Sequence, residues 1–117
     1  MRGLTLIVTK PASFRAALEL AAANAALGGR ARVFLQGEAV GALAPLIDQH
    51  DARYAACGMP TLAELFAAAL DLTVEIIACQ SGLALMGLTA ATLDPRVTFG
   101  GPVSVLQTLG DDRLAVV

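Results

Sequence analysis

Residues 61–88 read TLAELFAAALDLTVEIIACQSGLALMGL, and the spacing of apolar residues changes twice within them. Thr61 and Glu64, three residues apart, are placed to satisfy each other's unpaired amides as a capping box. Leu62, Leu65, Phe66 and Ala69 then fall on one face of a helix. Val74–Cys79 is a short, continuous apolar run that reads as a buried strand. Ser81 to about Leu88 follows as a helix of small residues. Helix, buried strand and helix in succession, with no hairpin turn between them, is the rhythm of a parallel sheet.

The same alternation extends in both directions. Leu4–Thr9 is an apolar run closed by Lys10-Pro11, a first strand. Ser13 is placed to cap a helix in which Phe14, Ala17, Leu18, Ala21 and Ala25 recur at helical intervals, and Gly28-Gly29 supplies its left-handed stop. Arg32–Gln36, ending at Gly37, is a second strand reached by a right-handed crossover. Residues 38–60 carry weaker signals: a short helix over Ala39–Ile47 interrupted by Pro45, a polar loop over Asp48–Arg53, and the segment YAACGMP. Beyond the stretch quoted first come a strand over Val97–Phe99, Gly100-Gly101-Pro102 opening a helix to about Leu109, and a last strand over Arg113–Val117. Five short strands alternating with helices predict a single α/β domain over residues 1–117, a flavodoxin-like three-layer sandwich with a five-stranded parallel sheet in the order 2-1-3-4-5. Its carboxyl edge gathers Thr9, Lys10, Gln36, Gly37, Cys79, Gln80, Ser81, Gly100 and Gly101.

Composition narrows the function classes. Of 117 residues, 56% are hydrophobic and only 15% charged, which leaves a thin polar surface and favours oligomerisation. A net charge of −2, with eight scattered Lys and Arg residues, gives no basic footprint for nucleic acid. Residues 76–93 are uncharged and approach the length of a membrane span, but Gln80, Ser81, Thr89, Thr92 and two glycines interrupt them, and no span is expected. The apolar run Leu4–Val8 is too short for a signal-peptide core, so a soluble cytoplasmic protein with free thiols is the expectation.

Cys79 is the leading chemical candidate. It ends a strand and precedes a helix whose unpaired amides favour thiolate over thiol, and Gln80 and Ser81 beside it supply donors and room for a substrate. The competing reading is a small buried packing residue. Cys57 is expected on the same edge, either coupled to Cys79 or an incidental loop thiol. Lys10, the only lysine, ends the strand expected beside that of Cys79, where its charge would lower the thiol pKa or attract an anion; otherwise it is a solvated charge. Gly100 and Gly101 form a turn able to hold a small anion. His50 lies in a polar loop and suits a surface role. One histidine without CxxC or HExxH argues against a metal, and the lack of GxxxxGK[ST] and GxGxxG argues against a nucleotide, so no cofactor is expected.

Taken together, the N-terminal strand, the capped helix TLAELFAAALDL and VEIIACQSGLALMGL, with cysteine at the strand end and the Met86-Gly87 pair, resemble the DsrE/DsrF-like sulfur-relay proteins over nearly the whole chain. The resemblance implies a small cytoplasmic protein assembling as a homotrimer or homohexamer, with sulfur carried as a persulfide on Cys79 and exchanged with donor and acceptor proteins or small persulfides. Cys57 matches no position with a family role. The apolar segments Ala39–Ile47 and Leu83–Leu88 would then bury themselves against other subunits. Two alternatives stand beside a sulfur carrier or sulfurtransferase. One is a non-catalytic oligomeric binding module with Cys79 as packing; the other is a thiol peroxidase-like protein using Lys10 and Cys57.

Overall fold

In the computed structural model, which describes Met1–Val117, the apolar runs form strands β1 (Leu4–Val8), β2 (Ala31–Leu35), β3 (Glu75–Cys79), β4 (Thr98–Gly100) and β5 (Arg113–Val116). Between them lie helices α1 (Phe14–Ala26), α2 (Asp51–Ala56), α3 (Leu62–Asp71), α4 (Gln80–Leu85) and α5 (Pro102–Gln107). All strand pairs are parallel, and the order across the sheet is β4-β3-β2-β1-β5.

The α/β class and the five-stranded parallel sheet are as the sequence predicts; the order 2-1-3-4-5 is not. β2, rather than an edge strand, lies between β1 and β3. The physical reason is in its burial: all five residues of β2 are buried, which requires a hydrogen-bonded neighbour on each side, whereas all four of β5 are exposed and suit an edge. The chain therefore steps from β1 to β2 to β3 to β4 in one direction, and right-handed crossovers place α1, α3 and α4 on one face. The return from β4 to β5 runs the other way and puts α5 on the opposite face.

Register assigns the two cores. Leu6, Val33 and Ile76, and then Val8, Leu35 and Ala78, stand side by side on the face covered by α1 and α3. They join one buried cluster with Phe14, Leu18, Leu65 and Phe66, in which the Phe14 and Phe66 rings pack with centroids 6.2 Å apart. Burying each large apolar side chain contributes roughly 1.5–3 kcal/mol. On the other face Arg32 is buried: Nε donates to Thr5 Oγ1 (3.0 Å), Nη1 to Thr108 Oγ1 (2.7 Å) and Nη2 to the Val105 carbonyl (3.1 Å), tying α5 to the sheet. Asp112 supplies the countercharge.

Local signals hold unevenly. The capping box at Thr61 forms with both bonds, Thr61 N to Glu64 Oε1 (2.9 Å) and Glu64 N to Thr61 Oγ1 (3.2 Å). Thr61→Ala is expected to lower unfolding free energy by about 1 kcal/mol in urea titration, an N-cap effect. Ser13 stands at the N-cap of α1 without a side-chain bond, because the preceding turn Pro11–Ser13 holds it in a helical conformation (φ −89°, ψ −5°) rather than the extended one a capping residue uses. The helix expected over Ala39–Ile47 is a 3₁₀ segment, Gly37–Leu43, that ends before Pro45; the expected loop and YAACGMP include α2. Ala39, Val40 and Leu43 are buried in the chain's own core, so this segment is not the free apolar surface expected. No helix is long and apolar enough to cross a membrane.

Candidate functional site

β3 delivers Cys79 to the carboxyl edge, where it is also the N-cap of α4 and 97% hidden, at 3% exposure. Its Sγ lies 3.2 Å from Ser81 Oγ. Because β2 is the neighbour of β3, the chain leaving β2 at Gly37 runs on the same side of the sheet edge as the sulfur. Burial pushes the Cys79 thiol up, but donation from Gly37, the Ser81 hydroxyl, Gly82 and Ser81 more than offsets it and leaves the thiol below its ordinary value. A sulfur so placed is stabilised as thiolate, the nucleophilic form.

Close backbone packing shapes the turn after Cys79. Gly37 adopts φ +56°, a conformation that favours glycine, at the start of the 3₁₀ segment. Gly82 faces it: a Cβ there would lie 2.5 Å from the Gly37 carbonyl oxygen and 2.6 Å from Val40 Cγ2. Farther along the same contact Met86 covers Gly41, and Gly87 (φ +66°) ends the helix, with Leu88 N donating to the Leu83 carbonyl.

The other expected site residues are dispersed. Lys10 is exposed at the end of β1, and since β2 intervenes it stands two strands from Cys79, about 10 Å across the sheet. The expectation that it neighbours the thiol falls with the strand order. Cys57 is exposed at the end of α2, and both cysteines are free. Its helix is fastened to the starts of α1 and α3: the Tyr54 ring centroid lies 3.7 Å from the Arg15 guanidinium carbon, and Asp51 accepts from Leu62 N (2.8 Å). Gln80 is exposed beside the cysteine. Gly100 pairs with Cys79 across β3 and β4, but the Gly101 N–H is taken by Ser104 Oγ (3.2 Å), so this turn is not an open anion cradle. His50 is exposed at the start of α2. No group of three or more His, Cys, Asp or Glu side chains is assembled that would hold a metal.

Gly37 and Gly82 were the residues whose roles could not be read from the sequence. Gly37 is visible there as the end of an apolar run, but its role depends on which strand lies beside β3.

A small α/β protein with a parallel sheet, presenting one buried cysteine at a strand-to-helix turn, is the class that fold and site define. The DsrE/DsrF-like family profile matches residues 3–113, and the chain belongs to that family, which is associated with sulfur relay. The crystal structure of the ychN protein from E. coli shares the fold, with a TM-score of 0.75, 21% identity and full coverage of both chains. No curated protein matches the chain in sequence.

Proposed function

We propose that this protein is a sulfur carrier of the sulfurtransferase type that holds sulfane sulfur as a persulfide on Cys79. The observation that carries the reading is the place of Sγ, at the N-cap of α4 and 3.2 Å from Ser81 Oγ, a setting that favours the thiolate. In the capture step the Cys79 thiolate attacks the outer sulfur of a donor persulfide, R–S–SH. The donor S–S bond breaks, R–S⁻ leaves, and a new S–S bond gives Cys79–S–SH. In the release step an acceptor thiolate attacks that outer sulfur and Cys79 leaves as thiolate. No net oxidation occurs in either step. Donor and acceptor are proteins or small persulfides, and a reducing, cytoplasmic setting suits the free thiols.

Assembly as a homotrimer or homohexamer belongs to the same proposal. Leu85 (68% exposed), Val103 (70%), Leu106 (53%) and Val116 (63%) are large apolar side chains left uncovered by a single chain. A second reading, a binding module in which Cys79 only packs, is favoured by one observation, the 3% exposure of Cys79. The thiol peroxidase reading loses its cation, since Lys10 ends β1 and β2 lies between it and the strand of Cys79.

Cyanide separates these readings, because it removes sulfane sulfur as thiocyanate and returns the thiolate. Reduced protein treated with a small-molecule persulfide and then freed of it is expected to release one thiocyanate per chain. No release, with the fold intact, would sink the carrier reading and leave the binding module.

A further inference from the structure

We propose that the cavity enclosed by the starts of α1 and α2 and the segment Gly37–Leu43 binds a free α-amino acid with an aliphatic side chain, its carboxylate received by Arg15 and its ammonium group facing Glu19 and Asp48. The site is separate from the thiol, since neither Cys79 nor any residue of α4 lines this cavity.

Arg15 carries the argument. Its side chain is 5% exposed, yet Nη2 alone has a hydrogen-bond partner, the Pro60 carbonyl (2.6 Å). Nε and Nη1 are shielded from water and make no hydrogen bond. A buried charged donor in that state costs free energy until an acceptor reaches it. The neighbours do not supply one. Asp51 stands 3.9 Å from Nη1, and both its oxygens already accept, from Leu62 N (2.8 Å) and Asp48 N (3.1 Å). Glu19 comes within 3.3 Å of Nε without the alignment of a hydrogen bond, and its side chain is half-exposed and free to turn outward, which uncovers Nε. The Tyr54 ring closes one face of the guanidinium, so an acceptor has to arrive in its plane.

Beside Arg15 the cavity has a volume of about 560 Å³, large enough to enclose a small organic ligand. Its walls come from the chain that follows the carboxyl ends of β1 and β2, the edge at which open α/β sheets bind ligands. Arg15 is the one permanent cation in the lining, Glu19 and Asp48 are its carboxylates, and Pro11, Pro45 and Ile47 are apolar. An anion alone would meet the two carboxylates, and a cation alone would meet Arg15. A ligand that holds both charges a short distance apart satisfies each, and an aliphatic side chain covers the apolar wall.

The test is a nuclear magnetic resonance titration of the full chain with L-leucine, with leucinamide, which lacks the carboxylate, and with 4-methylpentanoate, which lacks the ammonium group. L-leucine is expected to saturate and to shift the amides of Gly41, Ala42 and Tyr54, with each analogue at least about tenfold weaker, the loss of one charge-assisted contact. Glu19→Gln is expected to weaken L-leucine about tenfold and leave 4-methylpentanoate unchanged, so that the preference between them disappears. Arg15→Gln should abolish binding of L-leucine. Should that variant fail to fold, Ala16→Leu carries the test: Ala16 is exposed on α1 and lines the cavity, so the larger side chain occupies the space and L-leucine should no longer bind. No saturation by about 10 mM, shifts confined to other parts of the chain, equal affinity for the three ligands, or retained binding in Ala16→Leu would each overturn the proposal and leave Arg15 to ordered water. Thiocyanate release is read separately, and all of these results leave the carrier reading standing.

Discussion

Replacing Cys79 by serine is expected to abolish capture of sulfane sulfur completely while leaving the fold in place. Serine keeps the size of the side chain and can still accept from the donors around the sulfur, so unfolding free energy should change by no more than about 1 kcal/mol. What it loses is chemistry. A hydroxyl at neutral pH is almost wholly protonated, and even as an alkoxide it cannot form the S–S bond in which the cargo is held. Cys57→Ser is expected to load as the wild type does, because Cys57 is an exposed thiol at the end of α2, not at the N-cap of a helix. Thiocyanate release after persulfide treatment reads both variants. Retained release in Cys79→Ser, or loss in Cys57→Ser, would move the site to the other cysteine.

The largest effect on stability is expected at Asp112. Its carboxylate accepts from Thr5 Oγ1 (2.8 Å) and from Arg30 Nη2 (2.7 Å), and stands 3.8 Å from Arg32 Nε. Arg30 is half-exposed and returns to water if the carboxylate is removed; Arg32, with its side chain 4% exposed, cannot. Asp112→Ala therefore strands a buried guanidinium and should cost about 3–5 kcal/mol in urea unfolding, the usual penalty for breaking a buried pair from one side. That is a large share of the roughly 5–15 kcal/mol that holds a small domain together.

The same group gives a pH dependence. Burial pushes the Asp112 carboxyl up, but the hydrogen bonds from Arg30 and Thr5 and the charges of Arg30 and Arg32 outweigh it, leaving it below the usual range. A carboxyl depressed in the folded state contributes its full stabilisation above the unfolded value, about 3.9, and loses it as pH falls through the folded value. Asp112→Asn is expected to lack that acid-side loss. An alanine variant as stable as wild type would mean that Arg32 is satisfied by Thr5, Thr108 and Val105 alone.

These residues also show how much was legible in the sequence. The runs at Leu4, Arg32 and Val74 become strands because short apolar stretches between helix signals leave little else for them to be. The capping box at Thr61 and the left-handed stop at Gly28 form because each is a local device whose partners lie within a few residues. Strand order is a different matter. Periodicity says which residues are buried and not which strand lies beside which. The useful clue was Arg32, a charge inside an otherwise apolar strand, which has to be shared between β1, α5 and Asp112 and so belongs near the middle of the sheet.

That single misplacement propagates to the site. With β1 beside β3, Lys10 would have been the thiolate's partner. With β2 there, the chain at Gly37 takes that place, and it brings no side chain and no charge to the thiolate. Helix α2 was obscured for a simpler reason: six residues beginning with charged and polar side chains carry no apolar stripe.

The most direct measurement is the mass of the reduced wild-type protein after exposure to a small persulfide, before and after reductant, with fragmentation to locate the adduct. The account predicts a gain of one sulfur, about 32 Da, placed on Cys79 and removed by reductant. An adduct confined to Cys57, or none at all while the folded protein's Cys79 stays inert, would contradict it.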